Sequence, residues 1–337
     1  KSIYNKNHKK TLRVFIENLK GNFLDTSIIY GKGQSEKIIG KLNPNLKKKI
    51  FISTKVSPEN LSYQKFIDSC FKSCENLNVE TVDLIQPHWP NYDVNNDEIV
   101  KAFKFLKKRG KVKYFGLSNY DLKDIKYFKK KLKDDFRFIQ EEYSLKSREV
   151  EEKFKFCLKN NLKIVCYSPL GSGNLLFKKK EEKLLLDISK KLNKTVSSII
   201  LNFLLNRSKN LILIPHTSNI HHLKDNIEAK KIKISLKDLN KINKTFKPKY
   251  ISIPLNRENN KDINYKKIRS LNDAVINKAN LSPSPKSLAK IIKKGYRLKS
   301  IKLIKKNNKY YIKEGRLRFW AHVIAYGFQK RIKMLEE

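Results

Sequence analysis

The stretch FLDTSIIYGKGQSEKIIG, residues 23–40, runs from a short apolar strand into an acid, then a tyrosine, then a turn with two glycines and a helix. Two readings compete for it. Glycines between a strand and a helix can cradle a phosphate, but the nucleoside-triphosphate version ends in Lys-Ser/Thr, and GKGQSE does not. Alternatively, Asp25 and Tyr30 belong to a proton-transfer device whose other parts lie further along.

Working outward, short apolar runs recur with amphipathic helical stretches between them. The runs are NFLD (22–25), KIFIST (49–54), VDLIQ (82–86), KYFGLS (113–118), RFIQ (137–140), KIVCYS (163–168) and LILIP (211–215). Helical patterns such as 62–77 and 96–110 separate them, the second with Asn96 as its expected N-cap and Gly110 as its stop. Strand alternating with helix predicts parallel pairing with right-handed crossovers. Seven strands are one short of a closed (β/α)8 TIM barrel. An eighth is expected before residue 1, because the chain opens on polar sequence and a helix at 8–20. In such barrels the working residues sit at the C-terminal ends of strands. Asp25, Lys55, His88, Ser118, Asn119, Gln140, Tyr167, Ser168 and His216 all fall there.

The chemistry follows from residue types. Hydride reduction of a carbonyl needs a proton at oxygen, and a phenol of ordinary pKa near 10 is a sluggish acid at neutral pH. A neighbouring ammonium (Lys55) favours the phenolate of Tyr30. A carboxylate (Asp25) holds the lysine, and an imidazole (His88) can orient the carbonyl oxygen.

At these residues the chain resembles the aldo-keto reductase family. LDTSIIYGKGQSEKIIG follows that family's Asp-Thr-Ala…Tyr-Gly…Ser-Glu…Gly signature. ISTKV supplies the lysine, DLIQPHWP the histidine, GKVKYFGLSNY a Ser-Asn pair and QEEYSL a glutamine. CYSPLGSG and IPHTSNIHHLKDNIEA complete the order, over residues 8 to 245. The resemblance implies a catalytic set of Asp25, Tyr30, Lys55 and His88. It implies Ser118, Asn119 and Gln140 on the nicotinamide carboxamide, Tyr167 stacked on the ring, and Ser168, Leu170 and Gly171 near the pyrophosphate. His216, Thr217, Ser218, His222 and Asn226 would meet the adenosine. NADP is the expected cofactor. His216 and His222 stand where many relatives carry Lys and Arg, so NAD or dual use stays open, since neutral imidazole is a poorer partner for a 2′-phosphate. The family's first strand, with its Gly-Thr, is missing from residues 1–337, which predicts an unclosed barrel with two strand edges.

After residue 245 the period changes. The expected organisation is a barrel over 1–245, a linker over 246–264 and a small α+β unit over 265–337. The last segment predicts a helix (284–295), a hairpin turning at Asn307–Asn308 and a helix (316–327). It resembles a ParB-like (ParB/sulfiredoxin-type) domain, which implies Gly315, Arg316 and Arg318 around a phosphate-binding turn. Leu317 replaces that superfamily's usual His or Glu. A nucleotide or phosphate ligand there competes with a plain accessory domain packing Phe319 and Trp320.

Composition bounds the rest. Hydrophobic residues at 39% and aromatics at 10% argue for packed cores. The net charge of +43 comes mostly from lysine scattered along the whole chain. That is a compositional bias rather than an Arg-rich nucleic-acid face, and it predicts only salt-sensitive, non-specific binding to polyanions. Cys70, Cys74, Cys157 and Cys166 have no metal-ligand spacing, so no metal is expected and a reduced cytoplasmic compartment fits. No signal peptide and no membrane-length apolar run is visible. The leading reading is an NAD(P)H-dependent oxidoreductase acting on a small-molecule aldehyde or ketone, with Trp89 and Tyr120 as pocket candidates. The alternatives are a non-catalytic NADP-binding redox sensor and a nucleic-acid-associated module.

Overall fold

A computed structural model describes residues 6–173 and 177–337. They divide into two units: residues 6–89, 96–119, 125–173 and 177–247, and residues 90–95, 120–124 and 248–337.

The first unit carries a seven-stranded parallel sheet in sequential order: β1 (Phe23–Asp25), β2 (Phe51–Val56), β3 (Val82–Pro87), β4 (Val112–Ser118), β5 (Phe136–Glu142), β6 (Lys163–Tyr167) and β7 (Leu211–Leu213). Every adjacent pair is parallel, because each strand is followed by a helical crossover. The sheet curls on itself. Phe23 of β1 and Phe51 of β2 both reach Phe138 of β5, with ring centroids 6.4 and 5.3 Å apart. Among the described residues the sheet has seven strands and ends at β1 and β7.

Strand alternation then sorts the residues. Outward-facing Ile52, Ile85, Phe115, Ile139 and Ile164 are buried beneath the helices. Phe115 meets Phe66, Phe103 and Phe128 from three of those helices. The helix Tyr63–Leu77 buries Phe66, Ile67, Cys70, Cys74 and Leu77 at spacings of three and four, and Asn78 ends it at φ 50°. The helix predicted to start after Asn96 begins at Asn96 itself and runs to Lys108. Inward-facing residues make two layers. The lower is apolar: Phe23, Phe51, Leu84, Tyr114, Phe138, Val165 and Ile212. Two residues further along β1, β2, β3, β5 and β6 the inward positions turn polar (Asp25, Ser53, Gln86, Gln140 and Tyr167), and that change of character builds the site.

The second unit has a mixed sheet in the order β10–β9–β11–β8, from β8 (Lys249–Pro254), β9 (Lys302–Lys306), β10 (Lys309–Glu314) and β11 (Arg331–Glu336). β9 and β10 form the predicted hairpin, with Asn307 and Asn308 both at positive φ (46° and 58°), as a two-residue primed turn requires. Phe319, Trp320, Leu303, Ile312 and Met334 fill its core, and the Trp320 indole N–H donates to the Ile263 carbonyl at 3.2 Å. The reading of 246–264 as a linker is corrected here. Lys249–Pro254 is a strand paired antiparallel with all of β11. Its partner lies some eighty residues downstream, so no local period announced the pairing.

No helix among the described residues is long and apolar enough to cross a membrane. All four cysteines are buried free thiols, and no cluster of described His, Cys, Asp or Glu side chains could hold a metal ion.

Candidate active site

The polar layer starts with Lys55 on β2. Its side chain is 1% exposed, and its Nζ donates to Asp25 Oδ2 at 2.6 Å and to the Thr26 carbonyl at 2.8 Å. Burial pushes the ammonium pKa down, while Asp25 and, less strongly, Glu36 hold it up. The Nζ lies 5.0 Å from the centre of the Tyr30 ring. Tyr30 comes from the loop after β1, and its hydroxyl is 3.4 Å from His88 Nε2, with the two rings edge to face. The other imidazole nitrogen, Nδ1, lies 3.3 Å from Ser27 Oγ. Burial, reinforced by the Lys55 charge, pushes His88 down to about 3, so the ring is neutral at physiological pH and carries one N–H. The four side chains expected to act together are therefore in one cluster.

A second group follows β4, β5 and β6. Asn119, at φ 64°, donates from its backbone N–H to the Gln140 carbonyl at 2.9 Å. Its side-chain amide donates to the His88 carbonyl (3.2 Å) and to Ser118 Oγ (2.9 Å), and its Oδ1 accepts from the Tyr167 hydroxyl at 2.7 Å. That chain of donors leaves the Ser118 hydroxyl proton available to a ligand. Gln140 is buried, and its Oε1 accepts from Gln86 Nε2. A hydroxyl, primary amides and a phenol ring at one strand-end rim fit a flat ligand that presents a carbonyl and an amide N–H together.

Ser168 (φ 51°) and Gly171 (φ 60°) lie with Leu170 in the turn after β6, where Ser168 Oγ contacts Ser172 Oγ at 3.0 Å. His216, Thr217 and Ser218 follow β7 on a largely exposed segment. The Ser218 carbonyl accepts from Thr11, a residue of the opening helix Lys6–Glu17, at 2.9 Å. His222 and Asn226 lie on the helix Ile220–Glu228, whose first-turn amides of His221 and His222 are capped by Asn219 Oδ1. Of the pocket candidates, Trp89 is 39% exposed, whereas Tyr120 is 2% exposed and belongs to the second unit.

At the phosphate turn expected around Gly315, both arginines have partners within the unit. Gly315 has the positive φ (104°) of such turns, but Arg316 pairs with Asp262, and Arg318 pairs with Glu314 and donates to the Lys299 and Ser300 carbonyls. Both guanidinium groups serve the unit's own structure.

Sequence reasoning passed over four supporting residues: Ser27, Ser53, Glu36 and Gln86. Ser53 Oγ donates to Asp25 Oδ1 at 3.2 Å. Glu36 is fully buried and accepts from Thr54 (2.6 Å) and Asn76 (2.9 Å), tying the helix that follows Tyr30 to β2 and to the helix Tyr63–Leu77. Gly40 lets that helix approach, since a Cβ there would stand 2.3 Å from the Asn76 carbonyl. The available signal was a polar residue inside an otherwise apolar strand, two positions before a site residue: Ser53 before Lys55, and Gln86 before His88.

Comparison with known proteins agrees with this geometry. The model of the Aldo/keto reductase family matches residues 2–247. Methylglyoxal reductase YeaE of Escherichia coli K12 is 27% identical over 238 residues, covering 70% of this chain and 83% of that protein. Glyoxal reductase of Bacillus subtilis 168 is 27% identical over 221 residues, 65% of this chain and 76% of that one. Among solved structures, the thermostable aldo-keto reductase Tm1743 superposes with a TM-score of 0.65 at 27% identity, covering 72% of this chain and 88% of its own. An aldo/keto reductase from Klebsiella pneumoniae, solved with NADP and acetate, shares the fold at a TM-score of 0.67 and 22% identity, covering 72% and 85%.

Proposed function

The chain belongs to the aldo/keto reductase family, and from that premise we propose that it reduces an aldehyde or ketone to an alcohol at the expense of NADPH. The observation that carries this reading is the buried Lys55 ammonium, 2.6 Å from Asp25 and 5.0 Å from the ring of Tyr30.

When bound, the nicotinamide supplies a hydride to the carbonyl carbon. Tyr30 gives its phenolic proton to the carbonyl oxygen, so that the C=O bond becomes a C–H and an O–H. As that proton leaves, Lys55 stabilises the charge developing on the phenol oxygen, and Asp25 holds the ammonium in register. His88 is neutral, and its Nε2, 3.4 Å from the Tyr30 hydroxyl, faces the place beside Tyr30 where the substrate oxygen would sit. Ser118 and Gln140 would hydrogen-bond the carboxamide, with Asn119 orienting Ser118, and Tyr167 would stack on the ring. Ser168, Leu170 and Gly171 would hold the pyrophosphate, and His216 to Ser218, His222 and Asn226 the adenosine. NADP is favoured because relatives of the same fold are described with it, from Klebsiella pneumoniae and as the yakc enzyme of Schizosaccharomyces pombe.

Methylglyoxal and glyoxal, named for two relatives, are the first substrates to offer. NADPH consumption followed by absorbance tests the reading. Tyr30→Phe abolishes turnover while leaving NADPH affinity unchanged, and a Tyr30→Phe protein that still turns over removes Tyr30 from its role.

For the C-terminal unit, the ParB-like reading stands as a proposal of an accessory domain. The pairing of Arg316 and Arg318 with carboxylates favours a structural role over phosphate binding. The redox-sensor alternative is not favoured, because a sensor needs no proton donor.

A further inference from the structure

Four polar side chains, three of them buried, line up across the barrel interior from β1 to β5, and the reaction as derived uses only the two at its ends. Asp25 Oδ1 accepts the Ser53 hydroxyl at 3.2 Å. Gln86 Nε2 donates to Ser53 Oγ at 3.4 Å and also to Gln140 Oε1. Ser53 and Gln86 are fully buried and Gln140 is 1% exposed, so no solvent competes for these bonds.

The hydrogens have one consistent direction. Asp25 accepts from Lys55 on one oxygen and from Ser53 on the other, so its carboxylate is the sink of the line. Ser53 has spent its proton on Asp25 and can only accept from Gln86. That requirement turns the Gln86 amide so that its nitrogen faces Ser53 and Gln140. The same nitrogen then makes Gln140 an acceptor at Oε1, leaving Gln140 Nε2 as the group free to donate to a ligand. The cost is visible at the far side of Gln86, whose buried Oε1 has no hydrogen-bond partner. Gly116 leaves the room for this orientation, since a Cβ there would stand 3.0 Å from that same Oε1.

We propose that Gln86 is a positioning residue that, through Ser53 and Asp25, fixes the amide of Gln140 in the orientation that donates to the nicotinamide carboxamide. The proposal rests on the reading of Gln140 as a cofactor contact, and it makes the proton-donor machinery and the cofactor rim one hydrogen-bonded system. Without Gln86, the Gln140 amide is free to flip and samples both orientations, only one of which matches the carboxamide oxygen.

The test is a double-mutant cycle read by NADPH binding, from fluorescence titration of the protein, with thermal unfolding to confirm that each variant is folded. Gln86→Met and, as an independent break in the same line, Ser53→Ala each weaken NADPH by roughly three- to tenfold, the range of one neutral hydrogen bond. In a Gln140→Met background neither change weakens binding further. If the Gln140→Met loss and the Gln86→Met loss simply multiply, the two residues act separately and the relay is overturned. If Gln86→Met and Ser53→Ala bind like the unaltered protein while Gln140→Met binds worse, the relay is overturned and the cofactor contact stands. If Gln140→Met alone leaves NADPH affinity unchanged, Gln140 is not a cofactor contact and the relay falls with that reading.

Discussion

Replacing Lys55 with methionine removes the ammonium while keeping a long, flexible side chain in a position that is 1% exposed. A unit negative charge placed at the centre of the Tyr30 ring, 5.0 Å from the Lys55 Nζ, interacts with the ammonium by about 3 kcal/mol at an effective dielectric of about 20. That is the stabilisation lost if Tyr30 carries a full negative charge in the transition state. At about 1.4 kcal/mol per decade it corresponds to roughly 200-fold in kcat, and a half-developed charge corresponds to roughly 15-fold. The expected drop therefore lies between those figures, in steady-state NADPH oxidation at pH 7 with methylglyoxal as substrate. NADPH affinity stays unchanged, because Lys55 acts on the proton and not on the cofactor. The same substitution strands the Asp25 carboxylate with Ser53 as its remaining hydroxyl donor, which destabilises the fold by about 3 kcal/mol. Urea unfolding measures that second cost independently. A folded Lys55→Met protein that turns over within threefold of the unaltered enzyme would refute the electrostatic argument, because no lower dielectric or closer approach could then be claimed for the ammonium.

Asp25→Asn removes the main group that keeps Lys55 charged against its burial; the ammonium is then lost at lower pH, and the alkaline limb of the kcat–pH profile moves to lower pH. His88, held down to about 3 in the fold against 6.5 unfolded, gives no inflection near 6.5 in that profile, which an NMR titration of its ring protons checks directly. Because the unfolded chain binds the proton that the native state excludes, the His88 contribution to stability is fully present above pH 6.5. It is lost as pH falls toward 3, at up to about 1.4 kcal/mol per unit, so the urea midpoint falls over that range and His88→Phe flattens the fall.

The parallel-sheet architecture was legible because each strand and each crossover helix has its own period, and the two alternate seven times. The Asp25, Tyr30, Lys55 and His88 cluster was legible for a related reason: a charged or titratable residue closing an apolar strand has few explanations besides a site at the C-terminal rim. Less legible was the second unit. Its hairpin showed in the Asn307–Asn308 pair, but β8 read as a linker, since its register belongs to β11 and a strand paired across some eighty residues leaves no local mark. Arg316 and Arg318 read as a phosphate turn, and their carboxylate partners Asp262 and Glu314 were not legible from the sequence.

Local sequence thus determined the element types, their order and which residues arrive at the strand ends, because periodicity and capping act over a few neighbouring residues. Only the tertiary structure decided what those residues do to one another. Lys55 is an ammonium under a burial penalty, His88 is a neutral ring, and Gln86 is turned with one oxygen unsatisfied, because each of these states depends on a partner contributed by a different strand and on the water that the curled sheet keeps out.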